Sequence, residues 1–149
     1  MNFMLLISAC LAGVNCKYNG GSNEVDKIRK IAQEEKAILI CPEQLGGLPT
    51  PRLPCEIVGG DGKKVLQGEA KVLDQNGRDQ TPFFIKGAQE TLKIAKLCGV
   101  QIAILKARSP SCGSGMIYDG SFQGRKKRGD GVTAALLKEN GIDVFTEEE

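Results

Sequence analysis

Six cysteines and no histidine occur in a chain of 149 residues. Without imidazole, nucleophilic or metal-ligating chemistry falls to thiolate sulfur, assisted by carboxylates, hydroxyls, Lys, Arg or Tyr. Thiolates select soft metals, chiefly iron in iron–sulfur clusters, copper(I) and zinc. Cys10, Cys16, Cys41 and Cys112 each lie just past an apolar run, in a stretch rich in Gly, Pro or Ser. Cys55 and Cys98 have plainer surroundings and read as small buried hydrophobes.

The spacings exclude several options. There is no C-x-x-C pair, so neither a thioredoxin-type redox motif nor a zinc ribbon is expected. The C-x2-C-x2-C ferredoxin run is absent, and the zinc deaminase pattern lacks its histidine. A chain of this length buries an adequate core without disulfide staples. Six cysteines therefore read as reduced thiols of a cytoplasmic protein, not as a secreted framework.

The remaining composition is ordinary, with 41% hydrophobic and 26% charged residues and a net charge of +2. It gives no general pull toward nucleic acid or membrane. Ile7-Ser8-Ala9-Cys10 superficially resembles a lipoprotein modification site, but no basic region precedes it and its apolar run is short for a signal peptide. No window reaches the roughly 18 apolar residues of a membrane span.

The elements that must position these thiols follow from periodicity. Phe3 to Ala9 reads as a central parallel strand, and Ser22 as the cap of a helix running to about Glu35. Ala37 to Cys41 is a second strand, ended by Pro42. Gln44 to Pro54 is too rich in proline for a regular element. Residues 56–79 read as short β pieces joined by Gly59-Gly60-Asp61-Gly62 and Asn76-Gly77 turns, a β-hairpin excursion from the main sheet. Thr81 and Pro82 open a helix in N-cap and N1 positions, which runs to about Leu97. Val100 to Leu105 is a third strand, Gly129 to Asn140 a last helix and Ile142 to Phe145 a fourth strand. The expectation is one α/β domain over residues 1–149, an open and mostly parallel sheet flanked by helices, Rossmann- or flavodoxin-like.

In such a sheet, ligands bind beyond the carboxyl ends of the strands, where strand order reverses. Cys10, Cys41 and Cys112 each follow a different strand and meet at that edge. Cys16 is near enough to join them as ligand, catalytic thiol or bystander. Three thiolates without a fixed fourth ligand suit a cubane cluster with one open iron, by analogy with the open position of catalytic zinc.

The motifs S-A-C-L-A-G-V-N-C-K-Y-N-G (residues 8–20), Cys41-Pro42-Glu43, G-G-L-P-T-P-R (46–52), Ser109-Pro110-Ser111-Cys112-Gly113 and Ile117-Tyr118-Asp119-Gly120 resemble, as an ordered set, those of the bacterial thiouracil desulfidases, long catalogued as a domain of unknown function. Lys17 and Asn19 stand where Arg and Asp are expected. The resemblance spans about Ile7 to Glu147. It implies a 4Fe-4S cluster held by three cysteines, here Cys10, Cys41 and Cys112, with Cys16 outside the ligand set as an active-site thiol. It implies removal of sulfur from a thiolated uracil without net redox change, with Glu43 and Ser109 as catalytic assistants.

An iron without a protein ligand polarises a thiocarbonyl as a Lewis acid, and Glu43 is placed to serve as base or proton shuttle. Arg52 is a candidate for holding a substrate carbonyl or anion, and Ser111 for a substrate contact. The expected partner is a small thiolated pyrimidine. The Arg125-Lys126-Lys127-Arg128 run invites an RNA substrate, but it reads as a solvated loop because no aromatic platform beyond Phe122 accompanies it. The alternatives are a cluster-free thiol or persulfide transferase using Cys16 or Cys112, and a non-catalytic nucleotide- or metal-binding module.

Overall fold

The computed structural model describes residues 4–149. In chain order its elements are β1 (Met4–Ser8), a 3-10 turn (Ala9–Ala12), α1 (Asp26–Glu34), β2 (Ala37–Ile40), α2 (Pro42–Leu45), β3 (Cys55–Val58), α3 (Gly62–Leu66), β4 (Lys71–Asp74), α4 (Thr81–Leu97), β5 (Val100–Leu105), β6 (Met116–Tyr118), β7 (Lys126–Arg128), α5 (Val132–Glu139) and β8 (Asp143–Thr146). The expected start of the first strand at Phe3 lies outside the described residues.

Strands β2, β1, β5 and β8 form a parallel sheet in that order, with Leu6 opposite Ile38 on one side and Ala103 on the other. The chain runs outward from β1 to β2 and then returns to the far side of β1 as β5, so strand order reverses between β1 and β5. Alternation along β1 sends Leu6 and Ile7, both fully buried, to opposite faces. Leu6 packs with Ala95, Ala103 and Leu137. Ile7 packs with Leu11 and Ile28 on the α1 side. Each face is therefore covered, as parallel sheets require.

A second core lies beside the sheet. Ile57, Val65, Val72, Phe84, Ala88, Ile117 and Val132 join β3, β4, α3, β6 and the starts of α4 and α5. Helix α4 belongs to both cores, Phe84 and Ala88 to the second and Ala95 to the first. Among the described residues, no helix is long and apolar enough to cross a membrane.

Several local expectations are corrected. The excursion does pair β3 with β4 antiparallel, Ile57 opposite Val72. However, Val65-Leu66 belong to α3, because the Asp61 carboxylate caps it by accepting from Lys64 N at 3.1 Å. Helix α1 starts at Asp26 with Val25 as its cap residue, not at Ser22. Thr81 is the first helical residue of α4 after Gln80, and its hydroxyl accepts from Val72 N at 2.9 Å. The proline-rich stretch is preceded by the short α2. The basic run is not a loop: Lys126–Arg128 is strand β7, paired antiparallel with β6. Cys98 is exposed at the end of α4, where Leu97 beside it also faces solvent.

Candidate active site

The carboxyl ends of β1, β2 and β5 open onto a cavity of about 520 Å³, and Cys10, Cys16, Cys41, Cys55 and Cys112 all line it. All six thiols of the chain are free. Cys10 is carried on the 3-10 turn directly after β1. Cys41 precedes α2, and that helix is held against α4 at backbone distance. A Cβ on Gly46 would collide with the Phe83 carbonyl, and one on Gly87 with the Pro42 carbonyl, so only glycines let the two helices approach. Cys112 lies in the loop after β5. The carbonyls of Pro110 and Ser111 accept the first N–H groups of α5, Val132 N at 2.8 Å and Thr133 N at 2.8 Å. These bonds satisfy helix donors that have no side-chain cap and lock the Cys112 loop to the fold.

Hydroxyls surround Cys112. Ser8 Oγ donates to its sulfur at 3.4 Å and accepts from Lys106 N at 3.0 Å, and Ser111 Oγ lies 3.5 Å from the same sulfur. Burial pushes the Cys112 thiol up to about 12. Cys16 is buried next to the Cys10 and Cys41 thiols. That contact lowers Cys10 to about 7, helped by Asn23, and Cys41 to about 6, while pushing Cys16 well above the usual thiol range. Desolvation opposes the lowering at Cys10 and Cys41.

Glu43 and Arg52 form a part-buried ion pair, Nε to Oε1 at 3.0 Å. Arg52, the candidate for holding a substrate carbonyl or anion, lines the cavity and turns its donors to the protein. Its Nη1 donates to Pro49 O at 3.2 Å and Thr50 Oγ1 at 2.8 Å, and its Nη2 to Cys16 O at 2.9 Å and toward Cys41 Sγ at 4.0 Å. Every guanidinium donor faces a protein acceptor, so the side chain braces the Cys16 loop, the proline-rich loop and Glu43. The second carboxylate oxygen of Glu43 accepts from Ser111 Oγ at 3.2 Å. Ser111 Oγ in turn stands 3.1 Å from Ser109 Oγ. Because the Ser111 proton is directed at Glu43, its oxygen is free to accept from Ser109. Ser109 also accepts from Ser111 N and Cys112 N, each at 3.1 Å. The result is a continuous chain from Ser109 through Ser111 to Glu43, running past Cys112.

The cavity also holds residues with no role in the site expected from the sequence. Lys106 follows the last residue of β5 and pairs with Glu147 at 3.1 Å; its place past a strand's carboxyl end was a usable signal. Cys55, at the start of β3, belongs to a second wall of the cavity, its thiol donating to Leu53 O at 3.7 Å and raised to about 12 by burial and the nearby Glu43 charge. Glu56, Tyr118 and Phe122 complete that wall.

Among the described residues, no three Cys, Asp or Glu side chains converge as ligands of one metal ion would. The strand-end thiols instead stand around one shared cavity.

A sulfur-lined cavity at the switch point of a parallel sheet, with a carboxylate–hydroxyl relay and no imidazole, defines an enzyme whose chemistry is organised by thiolates. Comparison with known proteins identifies which. The 2-thiouracil desulfurase family pattern matches residues 5–149, so the chain belongs to that family and is a sulfur-removing enzyme. It is 51% identical over 146 residues to the uncharacterized protein YbbK of Bacillus subtilis (strain 168), covering 98% of this chain and 97% of YbbK. Its structure is similar to that of the [4Fe-4S]-dependent thiouracil desulfidase TudS, with a TM-score of 0.87 and 39% identity over 99% of this chain and 92% of TudS. The α/β architecture expected from the sequence agrees with that fold.

Proposed function

We propose that this protein is an iron–sulfur desulfidase that hydrolyses the thiocarbonyl of a small thiolated pyrimidine, with a [4Fe-4S] cluster held by Cys10, Cys41 and Cys112. The observation that carries the reading is the meeting of three strand-end thiols with the Glu43–Ser111–Ser109 relay in one cavity. The donor set fits such a cluster, since it is all sulfur, comes from three separate elements and at Cys112 has two hydroxyls within reach of its sulfur, the kind of contact that tunes cluster sulfurs. The dependence of TudS on such a cluster supports the same assignment.

When bound, the cluster supplies an iron without a protein ligand, a Lewis acid for the thiocarbonyl sulfur. The reaction C=S + H₂O → C=O + H₂S balances with no electrons gained or lost. Glu43 takes the proton of the attacking water, and Arg52, paired with it at 3.0 Å, orients its carboxylate. Ser109 and Ser111 carry a proton between Glu43 and the substrate, with Ser109 at the substrate end because Ser111 is almost wholly buried. Cys16 lies outside the ligand set as an active-site thiol, its main chain fixed by Arg52.

The experiment is sulfide release from a panel of thiolated uracils by anaerobically reconstituted protein, with iron measured on the same sample. The expected result is one sulfide and one oxygenated base per turnover, proportional to bound iron. Full activity of iron-free protein would overturn the cluster, and a protein that takes up no iron would overturn it equally.

A further inference from the structure

Strands β6 and β7 form a sheet separate from the parallel one, yet they and their turn line the same cavity, through Tyr118, Phe122 and Gly124. Phe122 adopts φ = 58°, a conformation that is a genuine outlier for a bulky side chain. Such strain persists only where the surroundings over-determine it, and it concentrates at functional sites.

Here the surroundings do so from two sides. A single carboxylate oxygen of Glu56, in β3, accepts from Gly120 N at 2.9 Å and from Phe122 N at 3.1 Å. A Cβ at Gly120 would stand 2.7 Å from the Ile57 carbonyl oxygen, so the turn rests directly on β3. Lys127 Nζ adds a bond to that same carbonyl at 3.3 Å. On the other side, the backbone of Ile117, itself buried, bridges to Arg108 in the loop after β5.

A turn of this kind would be cheaper with Gly or Asn at the left-handed position, and its neighbours Ser121 and Gln123 are exposed polar residues. The fold instead places a half-buried phenylalanine in the lining of the cavity that the thiols share.

We propose that Phe122, with Tyr118 beside it, is the ring-recognition wall of the cavity. It stacks on the planar face of the thiolated heterocycle and thereby selects aromatic thiocarbonyls over non-aromatic thioamides. The identity of the ring rests on the desulfidase reading; the existence of a stacking wall does not. Stacking of a base on an aromatic side chain is lost on truncation with a cost that reads as roughly a 10- to 100-fold change in affinity.

The test compares Phe122→Leu, which keeps apolar bulk, with Phe122→Tyr, which keeps the ring, both in the iron-loaded protein. Calorimetric binding of uracil is measured alongside sulfide release from 2-thiouracil and from thioacetamide. Phe122→Leu is expected to weaken uracil binding and raise KM for 2-thiouracil by about 10- to 100-fold with kcat within about threefold. Iron content, thermal stability and any thioacetamide turnover stay at wild-type values, and Phe122→Tyr restores binding. Wild-type uracil affinity in Phe122→Leu overturns the stacking wall, and if the wild-type enzyme still releases sulfide the desulfidase reading survives that loss. Uracil binding that depends on the ring, in a wild-type protein that releases no sulfide, keeps the wall and overturns the reading. A wild-type protein that neither binds uracil nor releases sulfide overturns both.

Discussion

The two walls of the cavity are built in opposite ways. The sheet wall comes from short, apolar, buried strands whose carboxyl ends deliver Cys10, Cys41 and Cys112, and the loops carrying them are closed by main-chain bonds to the sheet and to α5. The outer wall comes from the β3–β4 and β6–β7 pairs, and the β6–β7 turn holds a left-handed Phe122 and leans on the Glu56 carboxylate. Sulfur is thus delivered by the carboxyl ends of the parallel sheet, while the surface proposed to meet the substrate ring is placed on a turn. That division is common where one scaffold serves varied ligands.

The largest break in this comparison is expected on the sheet wall. Cys10→Ala, Cys41→Ala or Cys112→Ala should each abolish iron retention and reduce sulfide release to background. Cys98→Ala, at an exposed helix end, should leave both unchanged. Cys16→Ala sharpens the ligand assignment: iron content by chemical assay should stay near wild type while turnover falls. Loss of iron from that variant would move Cys16 into the ligand set.

Glu43→Gln comes next. The amide keeps the volume and can still accept from Ser111, but it cannot take a proton. A fall in kcat of about 10²–10⁴-fold with unchanged iron is expected for loss of a general base. An iron loss matching the activity loss would show instead that the Glu43–Arg52 pair serves only to hold the Cys41 loop.

How much of this was legible in the sequence differs between the walls. The sheet wall was readable because a buried parallel strand is an apolar run and ligands gather past its carboxyl end. Val100–Leu105 appears as β5 with unchanged bounds, and the four thiols singled out all line the cavity. The outer wall was not readable. Strand β7 consists of Lys126, Lys127 and Arg128, charges with no alternation to betray a strand. Its pairing is set by tertiary contacts such as that of Lys127 with the Ile57 carbonyl. Val65-Leu66 looked extended because the Asp61 cap that makes them helical is outweighed, in a linear reading, by the glycines around it. A guanidinium in a rigid loop looks available in a linear reading; only three dimensions reveal that the Arg52 donors also bond Glu43, Pro49, Thr50 and Cys16 and reach toward Cys41.

The outer wall has its own core, and it can be broken without touching a thiol. Phe84 is almost wholly buried among Ile57, Val65, Val72 and Ile117, and Phe84→Ala should cost about 3–5 kcal/mol of folding stability. Chemical denaturation checks this through a lower midpoint at unchanged slope. A changed slope would show that the second core unfolds apart from the sheet.

The smallest expected effect is the most informative about how the walls are joined. Glu56→Gln keeps a carbonyl oxygen able to accept from Gly120 N and Phe122 N, but it removes the negative charge that strengthens both bonds. Glu56→Ala leaves both N–H groups to whatever solvent can reach them. The expected losses of stability are about 0.5 kcal/mol for the amide and about 1–2 kcal/mol for alanine. Iron content should be untouched in both, because no sheet-wall residue bonds to Glu56. If Glu56 acts by holding the turn, KM for a thiolated uracil should rise in the order wild type, Gln, Ala while kcat stays level. A kcat that falls with KM unchanged would mean that Glu56 takes part in the chemistry itself, and the separation of a reactive sheet wall from a recognising outer wall would fail at that residue.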